Sequence, residues 1–260
     1  MRDGAQAAAK DLGVDLMVSD AQNDSSTQQN QAQNAQSQGA KAVIINPVDS
    51  DAASPAVAPL LSSNLPVISV DRSVTGEDVT SHIASDNVAG GAQAADELAK
   101  AVGEKGKVII LQGTPGAAST RDRGDGFKKE IKKYSGIEVV AEQTANFDRA
   151  EALDVTTNLM QSNPDVVGIY AENDEMALGA IQSLGSKAGV DVKIFGFDGT
   201  EDGLKAVSNG TMVGTIAQQP KELGKKAVEA AVKAIKGESV EKTESIEVKT
   251  VTKGNVADFQ

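Results

Sequence analysis

The sequence predicts a doubly wound α/β fold, and three observations lead there. Short β-prone runs alternate with longer helical windows along the chain. Several runs, Val108-Ile109-Ile110-Leu111 among them, are continuously apolar rather than alternating, the pattern of parallel strands covered on both faces. Gly103, Gly136 and Gly237 stand near helix ends, where a left-handed C-cap costs glycine least. Strand–helix alternation of this kind implies right-handed crossovers.

In order, the expected strands are 15–19, 42–45, 67–70, 79–84, 107–111, 138–141, 166–170, 193–196, 212–216 and 246–251. Helical windows separate them. The window 87–102 repeats apolar residues near a 3.6 period through Val88, Ala92, Ala95, Leu98, Ala99 and Val102. The window 221–236 does the same through Leu223, Ala227, Ala230, Ala231, Ala234 and Ile235. Residues 22–38 are rich in Gln, Asn and Ser and read as a surface helix with a thin Ala32/Ala35 stripe. The chain opens on a helix, whereas a doubly wound domain normally opens on a strand.

Composition narrows the function. The 260 residues include no Cys, no Trp and one His, which excludes disulfides, thiolate metal sites, cysteine nucleophiles and multi-histidine centres. Lys and Arg number 25 against 37 Asp and Glu, a formal charge of −12, which disfavours a nucleic-acid partner. Apolar runs are strand-sized, far short of the roughly 20 residues that span a bilayer, and no signal sequence opens the chain. No catalytic pattern emerges. Gly113-Thr-Pro-Gly116 lacks the spacing of a dinucleotide-binding turn, and Pro115 removes a donor. Ser81, His82, Ser85 and Asp86 crowd one strand and its exit, where neighbours point to opposite faces, so they do not form a triad. What remains is polar residues at strand C-termini: Asn46, Asp71-Arg72, Asn173-Asp174 and Phe197-Asp198. Ligands of open α/β sheets bind there, although such residues also cap helices.

Around these residues the chain resembles the periplasmic sugar-binding proteins, most nearly those that bind ribose. The resemblance rests on Ile45-Asn46-Pro47-Val48-Asp49-Ser50-Asp51-Ala52, Val70-Asp71-Arg72, Ser81-His82-Ile83-Ala84-Ser85-Asp86-Asn87 and Arg121-Asp122-Arg123-Gly124-Asp125-Gly126-Phe127. It continues, collinearly to the end, through Asn146-Phe147-Asp148-Arg149, Asn173-Asp174-Glu175-Met176, Gly196-Phe197-Asp198-Gly199-Thr200 and Thr215-Ile216-Ala217-Gln218-Gln219-Pro220. It implies the type I periplasmic binding protein fold: two Rossmann-like lobes, 1–85 plus 219–247 and 86–218 plus 248–260, joined by a three-strand hinge that closes on ligand. Carried over by position, the sugar contacts fall on Asp71, Arg72, Ser85, Arg121, Phe147, Asn173, Phe197, Asp198 and Gln218. Two Asp and two Arg make this set formally neutral, which suits a polyol and disfavours a phosphate.

The function so implied is a non-enzymatic receptor for D-ribose or a close aldose. Its partners would be a small neutral sugar, the membrane permease of an ABC transporter and a chemoreceptor, with no cofactor, no metal and no nucleic acid. Its place would be periplasmic or extracytoplasmic, tethered to the membrane in a Gram-positive source. Allose, xylose or a furanose autoinducer are alternative ligands, and the sensing core of a LacI-type transcription regulator is an alternative class. One departure stands out. The match begins just after the family's first strand and its Asn-Pro-Phe-Phe type loop, at Met1-Arg2-Asp3-Gly4-Ala5. That strand would lie inside the first lobe's sheet, and without it ribose affinity is expected to be weak or absent.

Overall fold

The computed structural model describes all 260 residues. In chain order the elements are α1 (Arg2–Leu12), α2 (Ser25–Ser37), β1 (Val43–Ile45), α3 (Ser54–Ser62), β2 (Val67–Val70), β3 (Ser81–Ser85), α4 (Asn87–Ala101), β4 (Lys105–Gln112), α5 (Ala118–Ile131) and β5 (Gly136–Thr144). They continue as α6 (Arg149–Ser162), β6 (Val166–Ala171), α7 (Asp174–Leu184), β7 (Lys193–Asp198), α8 (Glu201–Asn209), β8 (Gly214–Ala217), α9 (Pro220–Ile235), β9 (Thr243–Ile246) and β10 (Lys249–Thr252). The chain forms two compact units.

Unit 1 holds residues 1–86, 116–119 and 219–247. Its sheet runs β1-β2-β3-β9, all parallel. Every residue of β2 is buried. On one face Val67 packs with Val57 and Leu60 of α3. On the other, Ile68 and Val70 pack with Leu223, Ala227 and Ala231 of α9. This two-sided cover explains the continuous apolar run. Helices α1 and α9 touch backbone to backbone. A Cβ on Gly4 would lie 2.0 Å from the Lys221 carbonyl oxygen, and one on Gly224 2.2 Å from that of Met1. Residues 116–119 group with this unit through Ser50, whose N–H donates to the Gly116 carbonyl at 3.0 Å.

Unit 2 holds residues 87–115, 120–218 and 248–260. Its sheet runs β10-β8-β7-β6-β4-β5, and only β10 is antiparallel to its neighbour. The order reverses between β4 and β6, the switch point where an open sheet leaves a crevice beyond its strand ends. Strands β4, β6 and β7 are buried on both faces. Ile109 and Ile169 belong to one core cluster, while Val108, Ile110, Tyr170 and Phe195 belong to the other.

Two expected strands differ. Residues 14–20 form no strand. Met17 and Val18 face solvent, 67 % and 48 % exposed, while Leu16 packs against Ala8, Ala9, Val228 and Val232. β1 pairs only with β2, so this segment has no ladder partner, and β propensity is expressed only against one. The expected single strand 246–251 is two, because β9 ends in unit 1 and β10 begins in unit 2. The chain passes between the units at Asp86–Asn87, Pro115–Gly116, Ser119–Thr120, Gln218–Gln219 and Glu247–Val248.

Candidate functional site

Each unit gathers polar side chains at the C-terminal ends of its parallel strands. In unit 1 the chain leaves β2 into Asp71, whose φ of 69° is a conformation that few residues with a side chain adopt. The turn is held by the Asp71 N–H donating to the Ile83 carbonyl at 2.8 Å. Asn46, just after β1, donates from Nδ2 to Asp71 Oδ2 at 3.2 Å. Arg72 is fixed by Nη1 donating to the Val48 carbonyl at 2.8 Å. Ser85, buried, ends β3. Asp71, Arg72 and Ser85 therefore sit at adjacent strand ends, and Asn46 joins them although it was not among the carried-over contacts. In the same sheet Ser69 Oγ and His82 Nδ1 lie 2.8 Å apart, and Ser81 donates to the Glu241 carbonyl, so Ser81 and His82 of β3 serve local structure.

In unit 2 the structure brings Phe147, Asn173, Phe197, Asp198 and Gln218 around one arginine, which is Arg123 and not Arg121. Arg123 is 4 % exposed. Its Nε donates to Asn87 Oδ1 at 2.9 Å, and Nη1 donates to the Glu172 carbonyl at 2.7 Å. Nη1 also lies 3.4 Å from Asp198 Oδ1. The guanidinium covers the Phe197 ring at 3.8 Å from its centroid, with the Phe147 ring 5.9 Å away. Arg121 is exposed and lines a separate surface cleft with Gln112 and Thr144. Both arginines stand on α5, and two residues along a helix turn the side chain by about 200°. The sequence could have separated them: Arg123 lies one helical turn before the buried Phe127, on the core face, and Arg121 does not.

The remaining contacts fix this group. Gln218 Nε2 donates to Asp198 Oδ1 at 2.6 Å. Asn173 caps α7 by accepting from the Met176 N–H at 2.9 Å, and its Nδ2 reaches the Phe147 carbonyl at 3.4 Å. Phe147 has φ 60° and Asp198 φ 120°. The Phe147 ring lies against Gly113, where a Cβ would be 2.1 Å from it. The Phe197 ring lies against Gly90, where a Cβ would be 2.6 Å away.

Two buried carboxyls sit behind this surface. Glu172 accepts from the Gly113 N–H at 2.8 Å through Oε2, while Oε1 has no partner. Burial, only partly offset by that bond and by Arg123, pushes its pKa from 4.5 up to about 8. Asp174 is raised from 3.8 to about 7, first by burial and then by the Asp198 charge, against its bonds from Thr215 and Thr200. The folded state thus keeps both protons to higher pH than the unfolded chain does. These groups penalise stability least in acid, and progressively more as pH rises from the unfolded value of each, 3.8 or 4.5, through about 7 and 8.

A family profile described as a periplasmic binding protein domain matches residues 1–239. The chain belongs to the periplasmic binding protein family. Its fold is the type I form, two units of parallel sheet flanked by helices. The ribose import binding protein RbsB of Escherichia coli (strain K12) is 46 % identical over 253 residues, 97 % of this chain and 85 % of that protein. The protein of the same name from Bacillus subtilis (strain 168) is 41 % identical over 97 % of this chain and 82 % of its own length. Among solved structures, an ABC transporter solute binding protein of Actinobacillus succinogenes 130z with bound D-allose superposes with a TM-score of 0.91 at 32 % identity, covering 99 % of this chain and 93 % of that one. One from Bacillus halodurans C-125 with bound myo-inositol gives 0.93 at 34 % identity, covering 99 % and 90 %.

Proposed function

We propose that this chain is a solute receptor for D-ribose or a closely related aldose, delivering it to the permease of an ABC transporter outside the cytoplasmic membrane. The observation that carries the reading is the Arg123–Asp198–Gln218 group set between Phe147 and Phe197. A sugar ring has polar edges and apolar C–H faces. Arg123 donates through a planar fork, Asp198 accepts from vicinal hydroxyls, and Gln218 and Asn173 do both. The phenyl rings cover the C–H faces. In unit 1, Asp71, Arg72 and Ser85 contribute in the same way, with Asn46 beside them. With Arg123 taking the place given to Arg121, the set keeps two Asp and two Arg and stays neutral. A neutral polyol matches that balance, whereas a phosphate or dicarboxylate calls for surplus cation.

Nothing in this group pairs an acid with a base across a scissile bond, so the reading is capture and release without turnover. Release to the permease would use hinge motion between the two units, and a chemoreceptor would be a further partner. The relatives named as ribose import proteins support ribose first. The neighbours with bound D-allose and myo-inositol support other neutral polyols second. A thermal-shift panel of pentoses, hexoses and cyclitols tests the proposal, since a ligand bound only by the folded state raises the midpoint as its concentration exceeds Kd. Ribose is expected to give the largest rise, in place of the weak or absent affinity expected from the sequence, because the strand-end groups of both units are assembled. A larger rise with another sugar overturns the ligand, and no rise with any neutral sugar at millimolar concentration overturns the function.

A further inference from the structure

Asp174 opens α7 and is completely buried. Its Oδ2 accepts from the Thr200 N–H at 2.7 Å and from the Thr200 hydroxyl at 3.1 Å. Its Oδ1 accepts from the Thr215 hydroxyl at 2.7 Å. Thr215 Oγ1 in turn accepts from the Gly199 N–H at 3.4 Å. These bonds converge on Gly199 and Thr200, the two residues of the 198–200 turn that follow Asp198 at the end of β7. Two of the three have backbones that side chains resist, with φ 120° at Asp198 and 71° at Gly199. A turn of that shape persists only when surrounding structure over-determines it.

The chain makes room for this carboxylate. A Cβ on Gly196 would lie 2.4 Å from Oδ1, and one on Gly203 2.2 Å from Oδ2. A buried carboxylate is costly, and an apolar residue would fill the space without that penalty. The arrangement is accounted for if the carboxylate is needed to hold the turn.

We infer that Asp174 is a positioning residue, holding the 198–200 turn so that the Asp198 carboxylate is presented to the sugar in a fixed direction. The inference rests on the proposed function for its ligand, and on the turn geometry for its mechanism. Asp174 reaches the sugar only through Asp198.

Calorimetric titration with ribose of wild type, Asp174→Ala, Asp198→Asn and the double variant tests it. Asp174→Ala is expected to weaken binding by about 10-fold or more, the worth of one charged hydrogen bond. In the Asp198→Asn background it should weaken binding no further, because both changes remove one presented carboxylate. Asp174→Asn, which keeps an acceptor for Thr200, should recover affinity to within a few-fold. Fully multiplicative losses in the double variant, or wild-type affinity in folded Asp174→Ala, overturn the inference. Should Asp174→Ala fail to fold, Thr215→Val removes the Oδ1 bond alone and enters the same cycle. Amide exchange at Thr200 without sugar separates this inference from the function. Faster exchange in the variant than in wild type is expected even if no sugar binds, and unchanged exchange refutes the hold on the turn.

Discussion

Arg123→Lys asks which arginine does the work and how. Lysine keeps the charge but not the planar fork. In the wild type that fork serves the Asn87 Oδ1, the Glu172 carbonyl and Asp198 from one buried position, and lies flat on Phe197. One ammonium cannot reach all of these acceptors and still face the ring. At least one hydrogen bond to a charged group is lost, about 1.5–3 kcal/mol, together with much of a desolvated cation–π contact, about 1–2 kcal/mol. Part of this loss falls on stability and part on binding. If the binding share is a single charged bond, ribose affinity drops by roughly 10- to 150-fold. Arg121→Ala alters an exposed side chain outside the group, and is expected to change affinity less than about 2-fold. Isothermal titration calorimetry gives both affinities, and thermal melts without sugar show how much of each effect is folding. The reasoning fails if Arg121→Ala weakens binding by an order of magnitude while Arg123→Lys binds as the wild type does.

Glu172→Gln keeps an acceptor for the Gly113 N–H but cannot ionise, so the wild type should lose stability relative to it as pH climbs from 4.5 towards 8, with a ceiling of roughly 5 kcal/mol set by the rise to about 8. Urea melts of both proteins at pH 5, 7 and 8.5 check this, and a gap that stays constant with pH contradicts it. Gly113→Ala places a methyl 2.1 Å from the Phe147 ring, so the ring must move; overpacking of this kind costs about 1–3 kcal/mol, and ribose affinity should fall with the melting midpoint, whereas unchanged affinity would remove Phe147 from the contact set.

How much of this was legible in the sequence depended on whether one residue or a partner decided the outcome. Strands β2, β4, β6 and β7 were readable because helices cover both their faces, and cover of that kind writes itself as an apolar run. The segment 15–19 has an apolar centre too, Leu16-Met17-Val18, and forms no strand, since pairing depends on a neighbour that composition does not record. The break between Ile246 and Lys249 is invisible in hydropathy, because both halves are strands and only their sheets differ. At the candidate site, strand-end position pointed to Asp71, Asn173 and Asp198, and the structure places all three at strand ends. The Arg121-Asp122-Arg123 motif offered two cations and no means of choosing by type alone. Helical phase against Phe127 was the missing step. Glu172 and Asp174 carried no signal as buried acids, since a carboxyl at a strand end is ordinarily exposed.

The backbone at these strand ends explains why certain residues stand where they do. Asp71, Phe147 and Asp198 all have positive φ, at 69°, 60° and 120°. A side chain in that region costs of order 1–2 kcal/mol, and glycine would remove the cost. Glycine occupies many other positive-φ positions of this chain, Gly13, Gly103 and Gly210 at helix ends among them. Gln22, Asn23, Asn64, Glu104 and Asn146 also carry side chains at positive φ, so the conformation alone marks no contact; at these three it coincides with the polar groups at the strand ends. The converse holds beside them. Gly113, Gly196 and Gly203 lie where any Cβ would strike Phe147 or Asp174, so the neighbours forgo side chains to leave room for the ones retained. Strained residues kept and crowded residues emptied point to the same surface, which a set of helix caps alone would not require. Helix caps need only an extended backbone and a short polar group, as Asp24 and Asp148 provide at φ −109° and −105°. Asp71 and Asp198 share the residue type of those caps but stand at φ 69° and 120°, so neither has the backbone of a cap.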